Sequence, residues 1–260
     1  VNSQGFPFSY ETFDGNRADV STMEAILRMV ERKYGKARRI WVFDRGIVSE
    51  ENLAAIRKRG GQYLVGTPRS QMKQFEEELL KDDWLQVRPE VDVKKLSIPQ
   101  GEETYVLCRT SGRKEKEKAI RSRFSGRMED ALKRLAKTIE TGRLKDRNKM
   151  ERRLGRIQAT HSQVNDLYEM ELRDTSDGLR LFWEIKEDRK LWRGLREGAY
   201  MLRTNLDGTA EELWSKYMQL TEAEASFRVL KTELAIRPLF HQKEPRVKAH
   251  VMVAFLGHAL

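Results

Sequence analysis

The chain has 260 residues, of which 39% are hydrophobic and 35% charged, and fifty Lys and Arg against forty Asp and Glu leave a net charge of +10. That is enough apolar content for one large domain or a core carrying an insertion, with a charge balance suited to a polyanionic partner. One cysteine, Cys108, excludes an internal disulfide framework and fits a reducing cytoplasm, and the longest apolar run, Val251 to Leu256, is far short of the roughly 18 residues of a membrane span. No secretory signal opens the sequence. Turn-rich sequence begins at once after Val1 and a helix is still running at Leu260, so the chain reads as part of a longer protein.

Gly5 to Phe13 reads as a strand with Phe6, Phe8 and Tyr10 on one side, closed by a turn at Asp14-Gly15-Asn16. Ser21 and Glu24 have the spacing of a capping box. The helix it opens carries Met23, Ile26, Leu27, Val30 and Tyr34 before Gly35 stops it. Asp14 and Asp19 sit at turn and cap positions, which attract Asp for local reasons. Ile40 to Phe43 is an apolar run without alternation, the pattern of a strand covered on both faces, and it runs straight into Asp44, Arg45 and Gly46. Ligands in open α/β sheets gather outside the carboxyl ends of strands, so Asp44 is the first candidate for chemistry. Ser49 can cap a helix bearing Leu53, Ala54 and Ile56, which ends at Gly60-Gly61 before a second apolar run, Tyr63 to Val65. A strand, helix, strand unit of this kind predicts two parallel strands joined by a right-handed crossover.

Beyond Val65 the character changes. Ser70 to Leu80 reads as a short amphipathic helix, and Trp84 to Val87, Val91 to Ile98 and Thr104 to Cys108 as an antiparallel meander, with a turn at Pro99-Gln100-Gly101. From Lys114 the period becomes helical: Ile120, Phe124, Met128, Leu132, Leu135 and Ile139 recur at three and four up to Gly142. Met150, Leu154 and Ile157 mark a second helical piece. Between Arg113 and Arg153 lie sixteen basic and seven acidic residues, a net +9, so nearly all of the excess charge sits in this segment. Such a run is either a solvated helix face or one that lies along a nucleic-acid backbone.

Leu179 to Ile185 and Gly198 to Thr204 return to strand character, separated by a charged segment around Trp192. A long helix follows from about Ala210 to Ile236, with a stripe of Leu213, Tyr217, Leu220, Ala223, Phe227, Leu230 and Leu234, and Pro238 beyond it. Tyr217, Glu224, Arg228 and Lys231 fall within a sector of about 60° on an adjoining face. Spacing alone reads that row as a helix ion-pair ladder.

The segments V-F-D-R-G at Val42 to Gly46 and Y-M-Q-L-T-E-A-E-A-S-F-R-V-L-K at Tyr217 to Lys231 resemble the second and third acidic motifs of bacterial insertion-sequence transposases of the Asp-Asp-Glu type, insertion-sequence-four-like group. The last motif of that group reads Tyr, two residues, Arg, three residues, Glu, six residues, Lys. Tyr217, Glu224 and Lys231 match in register, while Leu220 stands at the Arg position. G-F-P-F-S-Y-E-T-F-D-G-N-R-A-D, G-A-Y-M-L-R-T-N and R-P-L-F-H are also similar to this group, so the resemblance covers most of the chain.

The resemblance implies an α/β fold: a ribonuclease H-like mixed sheet interrupted by a β-rich and helical insertion before the Glu-bearing helix. On that basis residues 1–68 form the first part of the core, 69–197 the insertion and 198–260 the returning part. It further implies phosphodiester hydrolysis and strand transfer at transposon ends, with Asp44 and Glu224 as catalytic, metal-holding acids. Two Mg²⁺ (or Mn²⁺) ions about 4 Å apart suit in-line chemistry at phosphorus, and such hard cations take carboxylate oxygens. Tyr217, Arg228, Lys231 and Arg45 are the implied DNA contacts. The partners are double-stranded DNA, as transposon ends and as target, and a second copy on DNA, with no membrane and no small-molecule cofactor; the compartment is the bacterial cytoplasm. The family's first Asp belongs upstream of Val1, so the 260 residues alone are expected to cleave no DNA. The alternative is a non-enzymatic DNA-binding remnant of a decayed transposase. A hydrolase or phosphotransferase with Asp44 as nucleophile is disfavoured, since the sequence has neither a glycine-rich phosphate loop nor a G-x-S-x-G elbow. His161, His241, His250 and His258 show no metal-ligand spacing with the cysteine.

Overall fold

A computed structural model describes residues 9–259 except 15, 17, 36–38, 98–102 and 235. The described chain carries eight α-helices and eight strands and divides into two compact units. One comprises residues 1–71, 93–108 and 200–260; the other comprises 72–92 and 109–199. The first part of the expected strand at Gly5 to Phe13 lies outside the described residues, and positions 9–13 are not a strand.

In the first unit, α1 (Met23–Tyr34) follows a 3₁₀ turn, Asp19–Thr22, and ends at Gly35, whose φ of 72° is readily adopted only by a residue without Cβ. The expected capping box at Ser21 does not form. Its hydroxyl donates to the Ala18 carbonyl at 2.7 Å, and Glu24 pairs instead with Arg28 and Arg59. Strand β1 (Ile40–Phe43) leads to α2 (Glu50–Lys58), capped by the Ser49 hydroxyl, which accepts from the Asn52 amide. Then comes β2 (Gln62–Gly66), parallel to β1, with Ile40 opposite Gln62 and Phe43 opposite Val65. Met23, Leu27, Phe43, Leu53, Ile56, Tyr63 and Val65 form the core between these elements.

The remaining strands are β3 (Leu85–Arg88), β4 (Val91–Ser97), β5 (Thr104–Thr110), β6 (Tyr168–Thr175), β7 (Gly178–Ile185) and β8 (Ala199–Thr204). The main sheet is six-stranded and mixed, in the order β1-β2-β8-β5-β4-β3, with β8 antiparallel to β2. This mixed α/β architecture is the ribonuclease H-like class expected from the sequence. One expectation is corrected: β1 is not covered on both faces and, among the described residues, lies at the edge of the sheet. Only Phe43 of its four residues is buried, whereas β2 is buried from Tyr63 to Gly66. Apolar composition alone does not distinguish a central strand from an edge strand whose faces are partly covered. The Pro99-Gln100-Gly101 turn lies outside the described residues.

An ionic cluster closes the end of the sheet where β2 begins and β8 ends. The Arg203 side chain, 11% exposed, donates through Nε to Glu103 at 2.7 Å and through Nη1 to Glu50. Arg57 reaches Glu103 at 2.8 Å and the Tyr63 hydroxyl at 2.9 Å, and that hydroxyl donates to Glu103. Burial and the neighbouring Glu103 carboxylate push the Tyr63 phenol up to about 12. The hydrogen bond from Arg203 holds the Glu50 carboxyl below its usual range, so its contribution to stability is present above that range and is lost as pH falls through the folded-state value.

The second unit has its own core. Helices α4 (Ser111–Glu140) and α5 (Arg147–Thr160) pack with the hairpin β6–β7, burying Met128, Leu132, Leu135, Ile139, Met150, Leu154, Tyr168, Leu172 and Leu181. The short α3 (Glu76–Leu80) follows a 3₁₀ stretch, Arg69–Phe75, where one amphipathic helix was expected, and α6 (Glu187–Arg196) follows the hairpin. The β6 strand is absent from the sequence expectation. Its signal is the alternation Tyr168, Met170, Leu172, masked by the charges of its outward residues Glu169, Glu171 and Arg173. The turn is Ser176-Asp177, followed by Gly178 at φ 106°. Glu197, buried, binds Arg121 at 2.5 Å.

Replacing Arg203 with Ala strips Glu103 and Glu50 of their shared cation and is expected to cost about 2 kcal/mol of unfolding free energy by denaturant titration. In that variant the loss of thermal stability on acidification below about pH 4.5 should be shallower than in the parent, because the depressed carboxyl no longer contributes.

Candidate active site

Asp44 is the first residue after β1. Its Oδ1 accepts the Gly46 amide at 2.9 Å, a two-residue side-chain-to-backbone bond that turns the chain away from the sheet. Asp44, Arg45 and Gly46 are all exposed. The carboxylate therefore sits at the carboxyl end of a strand of the parallel pair, the end at which α/β sheets collect ligands.

The second candidate element is α7 (Ala210–Thr232). Its start is fixed by a capping box, in which Thr209 Oγ1 accepts the Glu212 amide at 3.2 Å and Glu212 accepts the Thr209 amide at 2.9 Å. Leu213 and Trp214 are buried in the next turn, and Trp214 Nε1 donates to the Tyr200 hydroxyl at 2.8 Å. One turn further the helix reaches the ends of β1 and β2. A Cβ placed on Gly66, the last residue of β2, would lie 2.7 Å from the Tyr217 hydroxyl and 3.5 Å from the Arg45 amide nitrogen. Tyr217 is thus brought to the loop that carries Asp44. Phe227 shares an aromatic cleft of about 730 Å³ with Ile40 and Trp41 at the start of β1, so α7 runs antiparallel to that strand.

Glu224 follows Tyr217 by two turns, about 10 Å of helical rise, on the same side of the helix. Glu224, Arg228 and Lys231 are all exposed. The ladder expected from spacing does not form: among the described residues none of the three joins an ion pair, and neither candidate acid is held by an arginine. The apolar stripe of α7 is also thinner than its period suggests. Leu213 and Leu230 are buried, Tyr217, Leu220 and Ala223 are half-buried, and Phe227 is 58% exposed. The helix stops at Thr232, earlier than the expected Ile236.

Asp14 is exposed, and Asp19 opens the 3₁₀ turn before α1. His241 and His250 stack edge to face with ring centroids 5.5 Å apart. Cys108 is fully buried, and that burial pushes its thiol up, away from reactivity. Among the described residues no three His, Cys, Asp or Glu side chains come together as a metal-holding group. Gly66 is the residue that sequence patterning passes over. Its signal is a glycine closing the apolar run Y-L-V-G, where the absence of a side chain admits the tyrosine ring.

The sequence matches the family profile of the transposase DDE domain across residues 1–260. The chain belongs to that family. Searches of the curated proteins and of the solved structures gave no match. Transposases act on DNA, so family membership supports DNA as the partner, and DDE domains generally use divalent metal ions. Among the described residues, no helix of this DDE domain is long and apolar enough to cross a membrane.

Gly66→Ala should force the Tyr217 hydroxyl away and lower stability by about 1 to 3 kcal/mol. Adding Tyr217→Phe removes the atom in conflict and is expected to recover part of that loss. A double-mutant cycle by denaturant titration measures the coupling, and additive effects would contradict the close approach.

Proposed function

We propose that the chain is the catalytic core of an insertion-sequence transposase of the insertion-sequence-four-like group, in which Asp44 and Glu224 are two of the acids of the reaction centre. The observation that carries this reading is the seating of Tyr217, the opening residue of the third acidic motif, against Gly66 beside the Asp44 loop. Two motifs that are remote in sequence meet there. The donor chemistry fits a hard divalent cation: both acids are exposed carboxylates without a cationic partner among the described residues. Asp44 and Glu224 would hold Mg²⁺ or Mn²⁺, and two such ions are the expected complement. The chemistry these ions supply when bound is activation of a water or 3'-hydroxyl and stabilisation of the leaving oxygen.

The chain's own residues have simpler tasks. Arg45, Arg228 and Lys231 donate to phosphate oxygens and hold the scissile strand, and the Tyr217 hydroxyl lies beside the terminal nucleotide. Leu220 in place of the family's Arg removes one such contact. Residues 69–197 act as the insertion, and the working assembly on DNA is a dimer that pairs two ends. Two acids without a third would leave one of the two ions poorly held, so these 260 residues alone should not cleave DNA.

Mn²⁺ binding followed by electron paramagnetic resonance tests the assignment. Asp44→Asn and Glu224→Gln are each expected to weaken binding by about tenfold or more. A Glu224→Gln variant that binds Mn²⁺ like the parent removes Glu224 from the site. Mg²⁺-dependent nicking of transposon-end DNA by the 260 residues would refute the expectation of inactivity.

A further inference from the structure

The second unit carries a charged surface that the acid pair does not use. On α4, Lys116, Arg123, Arg127 and Arg134 recur at seven, four and seven residues, so they fall within about 40° of one another, roughly 130° round the helix from the buried stripe of Met128, Leu132, Leu135 and Ile139. Lys137 adjoins the row and extends it to about 31 Å along the axis. All five are exposed, and none joins an ion pair among the described residues. Asp130 is the one acid of α4 that shares their sector.

An ordinary solvated helix alternates acids and bases at three and four residues, which adds stability. Apart from Asp130, which stands between Arg127 and Arg134, this row carries one sign only. Arg123 and Arg127 stand four apart and Arg134 and Lys137 three apart, like-charge neighbours that cost helix stability unless an anion lies between them. The guanidinium carbons of Arg123 and Arg127 lie 5.5 and 6.0 Å from the ring centroid of Phe124, which itself packs against the core of the unit, so two of the cations are held in place before any ligand arrives. The positions beside the row include the small residues Ala119, Gly126 and Ala131 together with Ile120, which is 39% exposed.

We propose that this face of α4 is a docking track for the sugar–phosphate backbone of duplex DNA, bound without sequence preference and without metal. The proposal rests on DNA being the partner of the chain, not on Asp44 or Glu224 being catalytic. A row of about 31 Å matches one turn of B-form DNA, about 34 Å, and four or five cations can each neutralise one phosphate and release its counterions.

The test is fluorescence anisotropy of a labelled duplex of arbitrary sequence with the full 260-residue chain in EDTA, over a series of salt concentrations. The variant Lys116→Gln, Arg123→Gln, Arg127→Gln, Arg134→Gln is expected to lose affinity on the order of 100-fold at about 0.1 M salt, and its plot of log K against log salt should be shallower by about 3. A control with the same change in net charge, Arg32→Gln, Lys58→Gln, Lys243→Gln, Arg246→Gln, should lose less than about fivefold. The EDTA in the assay removes any divalent ion held by Asp44 and Glu224, so a loss in the row variant is read apart from the acid-pair assignment. Equal losses in the row variant and the control would overturn the proposal, as would an unchanged salt slope in a row variant that keeps the parent's circular dichroism. Displacement of the duplex by polyglutamate as readily as by unlabelled duplex would also overturn it, by assigning the face to an acidic protein.

Discussion

The close approach of the Tyr217 ring to the backbone of Gly66 fixes how α7 lies on the first unit. A residue with a side chain at the end of β2 would meet the phenol, and the Tyr217 ring would have to shift. With glycine there, the start of α7 comes down beside the Arg45 amide while Phe227, ten residues on, reaches the start of β1. The proposed chemistry depends on that placement, because it brings Tyr217 to the loop that carries Asp44.

The charge distribution follows a division of labour that packing explains. In the first unit, cations near the sheet are spent on carboxylates: Arg203 serves Glu50 and Glu103, Arg57 serves Glu103, and Arg59 serves Glu24 and Glu31. Those charges are partly desolvated and need partners to offset the loss of water. Arg228 and Lys231 of α7 and Lys116, Arg123, Arg127, Arg134 and Lys137 of α4 have no such partners among the described residues. At a surface an unpaired cation costs little, so it stays available to an external polyanion.

The two units also differ in how they are held. The first joins β2 to β8 through side chains as well as strand pairing: Asn205 accepts the Tyr63 amide at 2.8 Å and donates to the Gly61 carbonyl, while the buried Thr204 hydroxyl donates to the Tyr63 carbonyl. The second relies on a continuous apolar core between two helices and a hairpin. Polar ties at strand ends add to the register set by the buried Leu64, Val65, Met201 and Leu202, while the helix stripes of the second unit fit by volume.

Local sequence determined the elements whose causes are local. The Ser49 cap and the Gly35 and Gly60 stops are written in single residues, as is the parallel β1–β2 unit in its spacing, and the stripe of α4 is legible from Met128 to Ile139. The resemblance of the segments around Asp44 and Glu224 to the family's acidic motifs rests on residue types and spacing alone. Tertiary structure alone decided the rest. Ser21 turned to the Ala18 carbonyl while Glu24 paired with arginines, β1 came to lie at the edge of the sheet among the described residues, and Glu224, Arg228 and Lys231 form no ion pair among them. Periodicity says which side of an element is apolar, but not what lies against it; the ring of Tyr217 over Gly66 is a contact between positions 151 residues apart, and no local pattern encodes it.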